Sequence, residues 1–206
     1  ALIRLIRAHG LHPSVPTQNR LAAAWKSQFP EEVLHYFMKM KSEGVTIARI
    51  VYHCIMMAFE RSDPELTLTI FEEMEGLGMK PDGVAYNAVL GACCQLGMHE
   101  RARHLFLQMA ERELVPDRKS YSIMVKVCAT SNQPEAALTF MGTMRKRGFE
   151  PDRWTYHYAI VSCLALRRTE HATETYNDML RAKVRPRSDT CRSMRAAIPK
   201  FGLTHE

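Results

Sequence analysis

The chain has 206 residues, 46% of them hydrophobic and 24% charged, with a formal charge of +6 and a pI near 9.1. No apolar run approaches the ~18 residues of a membrane-crossing helix, and the six cysteines include no Cys-x-x-Cys pair of the kind a zinc site uses. The charge is uneven: residues 1–117 hold 12 Lys/Arg against 14 Asp/Glu, whereas residues 118–206 hold 16 against 8, so attraction for a polyanion is expected towards the C-terminal end.

Residues 1–14 place Arg4 and Arg7 among Leu2, Ile3, Leu5 and Ile6, a pattern shared with the amphipathic start of a mitochondrial transit peptide. A second helix of an incomplete repeat fits better, because Gly10-Leu11-His12-Pro13 is a Gly-x-x-Pro that returns from Gly78 to Pro81 and from Gly148 to Pro151. There glycine supplies a left-handed helix stop and proline cannot continue the helix. A chain that starts in mid-repeat and without methionine is expected to be a processed protein or a fragment.

Residues 15–48 read as the first full unit. Asn19 opens it, Leu21, Ala22 and Trp25 share an apolar stripe, and Val33, Phe37, Met40 and Gly44 belong to a second helix. Gln18 and Ile47-Ala48 depart from the later pattern. Residues 49–82 follow with Tyr52, His53, Ile55, Met56 and Phe59, then Thr67, Phe71, Met74 and Gly78. Both units are one residue short at the turn between their helices, where a deletion is tolerated best.

Units 83–117, 118–152 and 153–187 keep strict register: Asp82, Asp117 and Asp152 step by 35, as do Tyr86, Tyr121 and Tyr156. In each, apolar residues at i, i+3, i+4 and i+7 (Tyr121, Met124, Val125 and Cys128, for example) draw one buried stripe. A small residue, a bulky one and a methionine then mark a second helix, as in Ala137, Met141 and Met144. Cys93, Cys128 and Cys163 occupy one core position and are expected to be buried, reduced thiols. In residues 188–206, Cys191, Met194 and Ile198 suggest a further first helix stopped by Pro199 and Gly202, with Arg195 where Leu90 and Val125 stand, a charge that suits a terminal cap. The expected fold is all-α, a solenoid of helix-turn-helix repeats of 34 to 35 residues forming a single repeat domain over 1–206.

Tyr86-Asn87-x-x-Leu90, Ala102-x-x-x-Phe106-x-x-Met109 and the ending Pro116-Asp117 closely resemble the pentatricopeptide repeat. The tetratricopeptide repeat shares the small-x-x-x-aromatic step but lacks the Tyr-Asn opening, the methionine and the Pro-Asp ending. The resemblance implies a right-handed α-solenoid that binds RNA in an organelle, the fifth and last residues of each repeat reading a base that the second residue sandwiches. Carried over, the reading pairs are Asn19 with Ala48, His53 with Asp82, Asn87 with Asp117, Ser122 with Asp152, and His157 with Arg187. Asn87 with Asp117 resembles the uracil pair and Ser122 with Asp152 the guanine pair, whose two edge donors suit a hydroxyl and a carboxylate as acceptors. Ala48 has no side-chain hydrogen bond to offer, and Arg187 is cationic where an acceptor is expected. In the sandwiching place Ile50 and Val84 are of the usual aliphatic type; Lys119 and Trp154 are not. The competing reading is that Asn and Ser near helix starts are caps and Asp after Pro a turn residue. Phosphate contacts are expected from Arg145, Lys146, Arg147, Arg167 and Arg168.

Gly-x-Gly-x-x-Gly, Walker, His-Glu-x-x-His and zinc-deaminase signatures are absent, and the nine histidines show no ligand spacing. No enzyme activity, cofactor, metal or small-molecule substrate is expected. The function expected is weakly selective binding of single-stranded RNA, mitochondrial rRNA or mRNA, beside other subunits of a mitochondrial (alternatively plastid) ribonucleoprotein. A mitochondrial ribosome component or assembly factor acting in translation is favoured. A protein-binding adaptor solenoid and the RNA-binding arm of a larger RNA-processing enzyme stay open.

Overall fold

The computed structural model describes residues 30–198, and every regular element among them is an α-helix. In order these are α1 (Pro30–Ser42), α2 (Arg49–Phe59), α3 (Pro64–Gly76), α4 (Gly83–Gln95), α5 (His99–Glu111), α6 (Arg118–Thr130), α7 (Pro134–Lys146), α8 (Arg153–Ala165), α9 (Thr169–Arg181) and α10 (Ser188–Ala197). The expected partial repeat at 1–14, the opening helix of unit 15–48 with Asn19, Leu21, Ala22 and Trp25, and the stop at Pro199 and Gly202 lie outside the described residues.

The helices start where local chemistry satisfies their free amides. Asp82, Asp117 and Asp152 are extended N-cap residues of α4, α6 and α8; each accepts from one or two backbone N–H groups of its helix's first turn at 2.8 to 3.1 Å. Each cap stabilises its helix by about 1 kcal/mol. The second helices α3 and α7 begin at Pro64 and Pro134, whose missing N–H and fixed φ suit a first turn, and α3 is capped as well by Asp63, which accepts from Leu66 N at 3.0 Å. Ala48 and Arg187, which break the Pro-Asp ending, give α2 and α10 no side-chain cap. The residue missing from unit 49–82 comes out of its first helix: α2 has 11 residues where α4, α6 and α8 have 13.

Each turn between repeats places one residue in the left-handed region, and the next N–H reaches back five residues, as Phe149 N to the Met144 carbonyl (3.0 Å) and Val184 N to that of Met179 (3.0 Å). Gly44, Gly78 and Gly148 hold that place, but so do Glu113 (φ 58°) and Lys183 (φ 56°), both exposed. Glu113→Gly and Lys183→Gly are each expected to raise stability by about 0.5–1 kcal/mol, the steric cost of a left-handed L-residue less the extra unfolded-state freedom of glycine. Thermal melts beside the parent chain check this; unchanged or lower midpoints would mean that the turns carry no such strain.

The described chain falls into two compact units that divide between Leu96 and Gly97. In the first, α2 packs against α1, α3 and α4, and α3 against α4. The aromatic of a second helix meets the tyrosine of the next first helix edge to face: Phe37 on Tyr52 at 5.2 Å and Phe71 on Tyr86 at 5.4 Å between ring centroids. In the second unit α6 packs against α5, α7 and α8, while α8 also packs against α7, α9 and α10. Phe106 on Tyr121 (5.6 Å) repeats the aromatic contact there. Val125, Cys128, Tyr156, Ile160, Cys163 and Met194 are among the side chains that fill its core. Cys93, Cys128 and Cys163 are wholly buried, reduced cysteines, as their spacing indicated. Burial pushes the Cys128 and Cys163 thiols up, away from the reactive thiolate.

Candidate nucleic-acid interface

Along α6, Lys119, Ser122 and Lys126 fall at i, i+3 and i+7 and therefore share one face. The next first helix, α8, opens with Arg153, Trp154 and Thr155 just past Asp152. Thr155 joins the expected pair: its Oγ1 lies 2.8 Å from Asp152 Oδ1 and 3.0 Å from Ser122 Oγ, bridging α6 to the start of α8. Asp152 Oδ1 also accepts from the Trp154 and Thr155 amides at 3.1 and 2.8 Å. Among the described residues no hydrogen bond reaches Asp152 Oδ2. Asp152 is thus a cap through one oxygen and leaves the other for a partner, so the two readings of that residue are compatible. Ser122 and Asp152 are half-buried, Thr155 fully buried.

The following pair differs. His157 Nδ1 meets Thr190 Oγ1 at 2.8 Å, Thr190 standing in α10 where Thr155 stands in α8. The Arg187 guanidinium lies 3.5 Å over the exposed Trp154 ring and holds Asp189 at 3.0 Å; Trp154 in turn stacks on Tyr158, with centroids 5.9 Å and planes 22° apart. One face of the sandwiching residue is therefore covered by the residue in the last place, through a cation–π contact. Burial and the neighbouring Arg187 push the His157 pKa down against the pull of Asp189, which favours the neutral ring. Lys126 Nζ sits 5.6 Å from the centre of the Tyr158 ring.

In the first unit His53 is buried on α2 with Nε2 3.4 Å from Asp82 Oδ1, an approach that makes no hydrogen bond. Burial pushes its pKa down, more than Asp82 pulls it up. Here Ala85 occupies the place of Thr155 and Thr190 and brings no hydroxyl. Ile50 and Val84 are exposed at the starts of α2 and α4, as an aliphatic sandwiching residue must be. Asn87 lies buried on α4 in the first unit; Asp117 and Lys119, both exposed, belong to the second. Asp117 forms a capping box with Ser120.

The five cations expected to meet phosphate do not come together. Arg145 is a brace: half-buried, it bonds the Tyr156 hydroxyl (2.9 Å) and Asp178 (3.1 Å), and those partners keep it charged against its burial. The first unit builds the same brace from Lys41, Glu73 and Tyr52, whose hydroxyl burial and Glu73 push up to about 12. Lys146 and Arg147 are exposed at the C-terminal end of α7. Arg167 and Arg168 lie in the turn before α9, the opposite end of a second helix about 20 Å long, and Arg168 pairs with Glu135 at 3.2 Å. The cations beside the Ser122 pair are Lys119 and Lys126, with Arg118 and Arg153 exposed at the first positions of α6 and α8. Sequence reasoning passed over Lys126, Arg118, Arg153 and Thr155; the available signal was their fixed place in the repeat, where Ser120, Thr155 and Thr190 put a hydroxyl third in three successive units. Among the described residues no group of three His, Cys, Asp or Glu side chains could hold a metal ion.

Comparison with known proteins follows the same register. A family model described as PPR repeat family matches residues 81–130, and one described as PPR repeat matches residues 119–149. A mitochondrial pentatricopeptide repeat-containing protein of Arabidopsis thaliana is 35% identical over 86 residues, 42% of this chain and 21% of that protein. The small ribosomal subunit protein mL103 of the same plant is 28% identical over 86 residues, with the same two shares. The chain therefore spans about a fifth of the length of these relatives. Other matched relatives are chloroplastic by name. Among solved structures, maize PPR10 in complex with an 18-nucleotide psaJ RNA element aligns with 96% of this chain and 29% of its own at a TM-score of 0.69 and 18% identity, which establishes a common fold.

Proposed function

This chain is a pentatricopeptide repeat protein, and from that premise we propose that it binds single-stranded RNA with weak sequence preference as part of an organellar ribonucleoprotein. The observation that carries the reading is the Ser122–Asp152 slot. Two hydrogen-bonding groups are held there by α6 and α8, half-exposed, beside Lys119 and Lys126 on the same helical face. That is the combination a single strand needs: cations for phosphate and a fixed edge for one base. The bound psaJ element of PPR10 supports it through the shared fold. The slots at His53–Asp82 and His157–Arg187 differ in their polar groups, and the second has its aromatic face covered by Arg187, so selectivity is expected to be low.

The finer reading we propose is a mitochondrial ribosome component. Its support is the likeness to mL103, a ribosomal protein by name, and to mitochondrial relatives. Tagged chain recovered from mitochondria should bring down ribosomal proteins that are lost on RNase treatment. Partners retained after RNase would favour the adaptor reading, and association with precursor-RNA processing proteins the reading as an arm of a larger enzyme.

The slot itself is tested by scanning a single G, A or U through short single-stranded RNAs. Wild type is expected to prefer G at one position by about fivefold, the worth of ~1 kcal/mol of net hydrogen bonding. Ser122→Asn should move that preference towards U while overall affinity stays close to wild type, because stacking is indifferent to sequence. Equal binding of all three bases by both proteins would leave Ser122 and Asp152 as structural residues only.

A further inference from the structure

Asp82, Asp117 and Asp152 fill the last place of their repeats, and each short side chain folds back as the N-cap of the following helix. Arg187 stands in that place at the end of unit 153–187, and α10 has no side-chain cap. Its side chain is long enough to go elsewhere. The guanidinium carbon lies 3.5 Å from the centre of the Trp154 ring, a van der Waals stacking distance, and Nη2 lies 3.0 Å from Asp189 Oδ2. Trp154 and Asp189 are 35 residues apart and hold the base-sandwiching place of two successive repeats. The guanidinium therefore touches both flanks of the slot that a base would enter, and, being flat and delocalised, it stacks on an indole as a base does. Its Nε is buried and makes no hydrogen bond among the described residues, so the ring and Asp189 are what hold it. His157, in the reading place of the same slot, has Nδ1 engaged by Thr190 at 2.8 Å.

We propose that Arg187 is a built-in plug: its guanidinium takes the place of a base against Trp154, so the slot of unit 153–187 admits no nucleotide and a bound single strand stacks no base beyond the Ser122–Asp152 slot. This rests on the proposed reading that the first helices face single-stranded RNA. The plug belongs to the same chain and is in place before any strand arrives, so it forfeits no freedom of association. A base entering there would exchange one stacked partner of Trp154 for another and would have to break the Arg187–Asp189 pair, which leaves it little to gain. A carboxylate in the last place cannot act in this way, since Asp152 reaches the amides of Trp154 and Thr155 and the Thr155 hydroxyl at the start of its own helix. The arginine thus sets where the readable track stops.

The test compares the 206-residue chain with the double variant Arg187→Ala/Asp189→Asn, which removes the plug and its anchor without changing net charge, on oligouridine of about eight nucleotides, longer than one base per repeat requires. The variant is expected to bind about fivefold more tightly, the worth of one newly stacked base. In a Trp154→Ala background the same double change should give no gain, because the surface it uncovers is gone. An arginine that met phosphate instead would make the double variant bind more weakly, and that result, or a gain that persists without Trp154, overturns the plug. A second measurement needs no variant to fold. The Arg187 Nε–H resonance of the wild-type chain, displaced by the indole ring, should keep its position at saturating oligouridine; its return to an ordinary arginine position on binding would show that the strand evicts the guanidinium, and overturns the plug while leaving RNA binding standing. Failure of the wild-type chain to bind oligouridine at all overturns the RNA reading, and this inference with it.

Discussion

Tyr156→Ala is expected to destabilise the second unit by about 3–5 kcal/mol, in the range of a large aromatic side chain removed from a packed core. Tyr156 is among the largest wholly buried side chains and touches the core formed by α6, α8 and α10. Two losses add. The ring leaves a cavity between helices that are held at repeat spacing and cannot fully collapse. Arg145, which lies 5.5 Å over the ring and bonds its hydroxyl, keeps a half-buried charge with only Asp178 to balance it. Tyr156→Phe keeps the volume and loses one hydrogen bond, so it should cost only about 1 kcal/mol. Urea unfolding followed by helix content and by Trp154 emission, in the same unit, measures both. Equal losses from the two variants would show that the brace rather than the packing holds this position, and two negligible losses would sink the account.

RNA affinity is expected to fall roughly fiftyfold between about 50 and 200 mM salt if some four phosphates of a single strand are met, because each contact releases counterions. The geometry moves the contacts away from the run Arg145-Lys146-Arg147 and onto the face that carries Ser122. Replacing Lys119 and Lys126 with glutamine should cut the logarithmic salt slope by about half, two of four contacts being lost. The same change at Lys146 and Arg147, at the far end of a second helix, should leave the slope as it was. The reverse result would place the strand along the second helices. A slope unaffected by either pair would take RNA binding away from this unit and strengthen the adaptor reading.

How much of this was legible in the sequence follows from the range over which each interaction acts. Helices, turns and caps depend on residues within a few positions of one another, so the 35-residue step of Asp82, Asp117 and Asp152 was enough to place three helix starts, and the spacing of Cys93, Cys128 and Cys163 enough to bury three thiols. The left-handed turns were visible where glycine marks them and invisible at Glu113 and Lys183, because there the helix-end hydrogen bonds force a conformation the side chain does not advertise. Only the tertiary structure decided which charges are available. Arg145 looks in the sequence like one member of a basic run, yet Tyr156, 11 residues on, and Asp178, 33 residues on, claim it once the helices stack. Arg187 is likewise drawn over Trp154, and Thr155 ties Asp152 to Ser122 across 33 residues of chain. Sequence alone determined the repeat, since its register is a local property renewed every 35 residues. The partner of a serine hydroxyl and the partner of an arginine were left to packing between repeats, because both depend on side chains that meet only when one helix pair settles on the next.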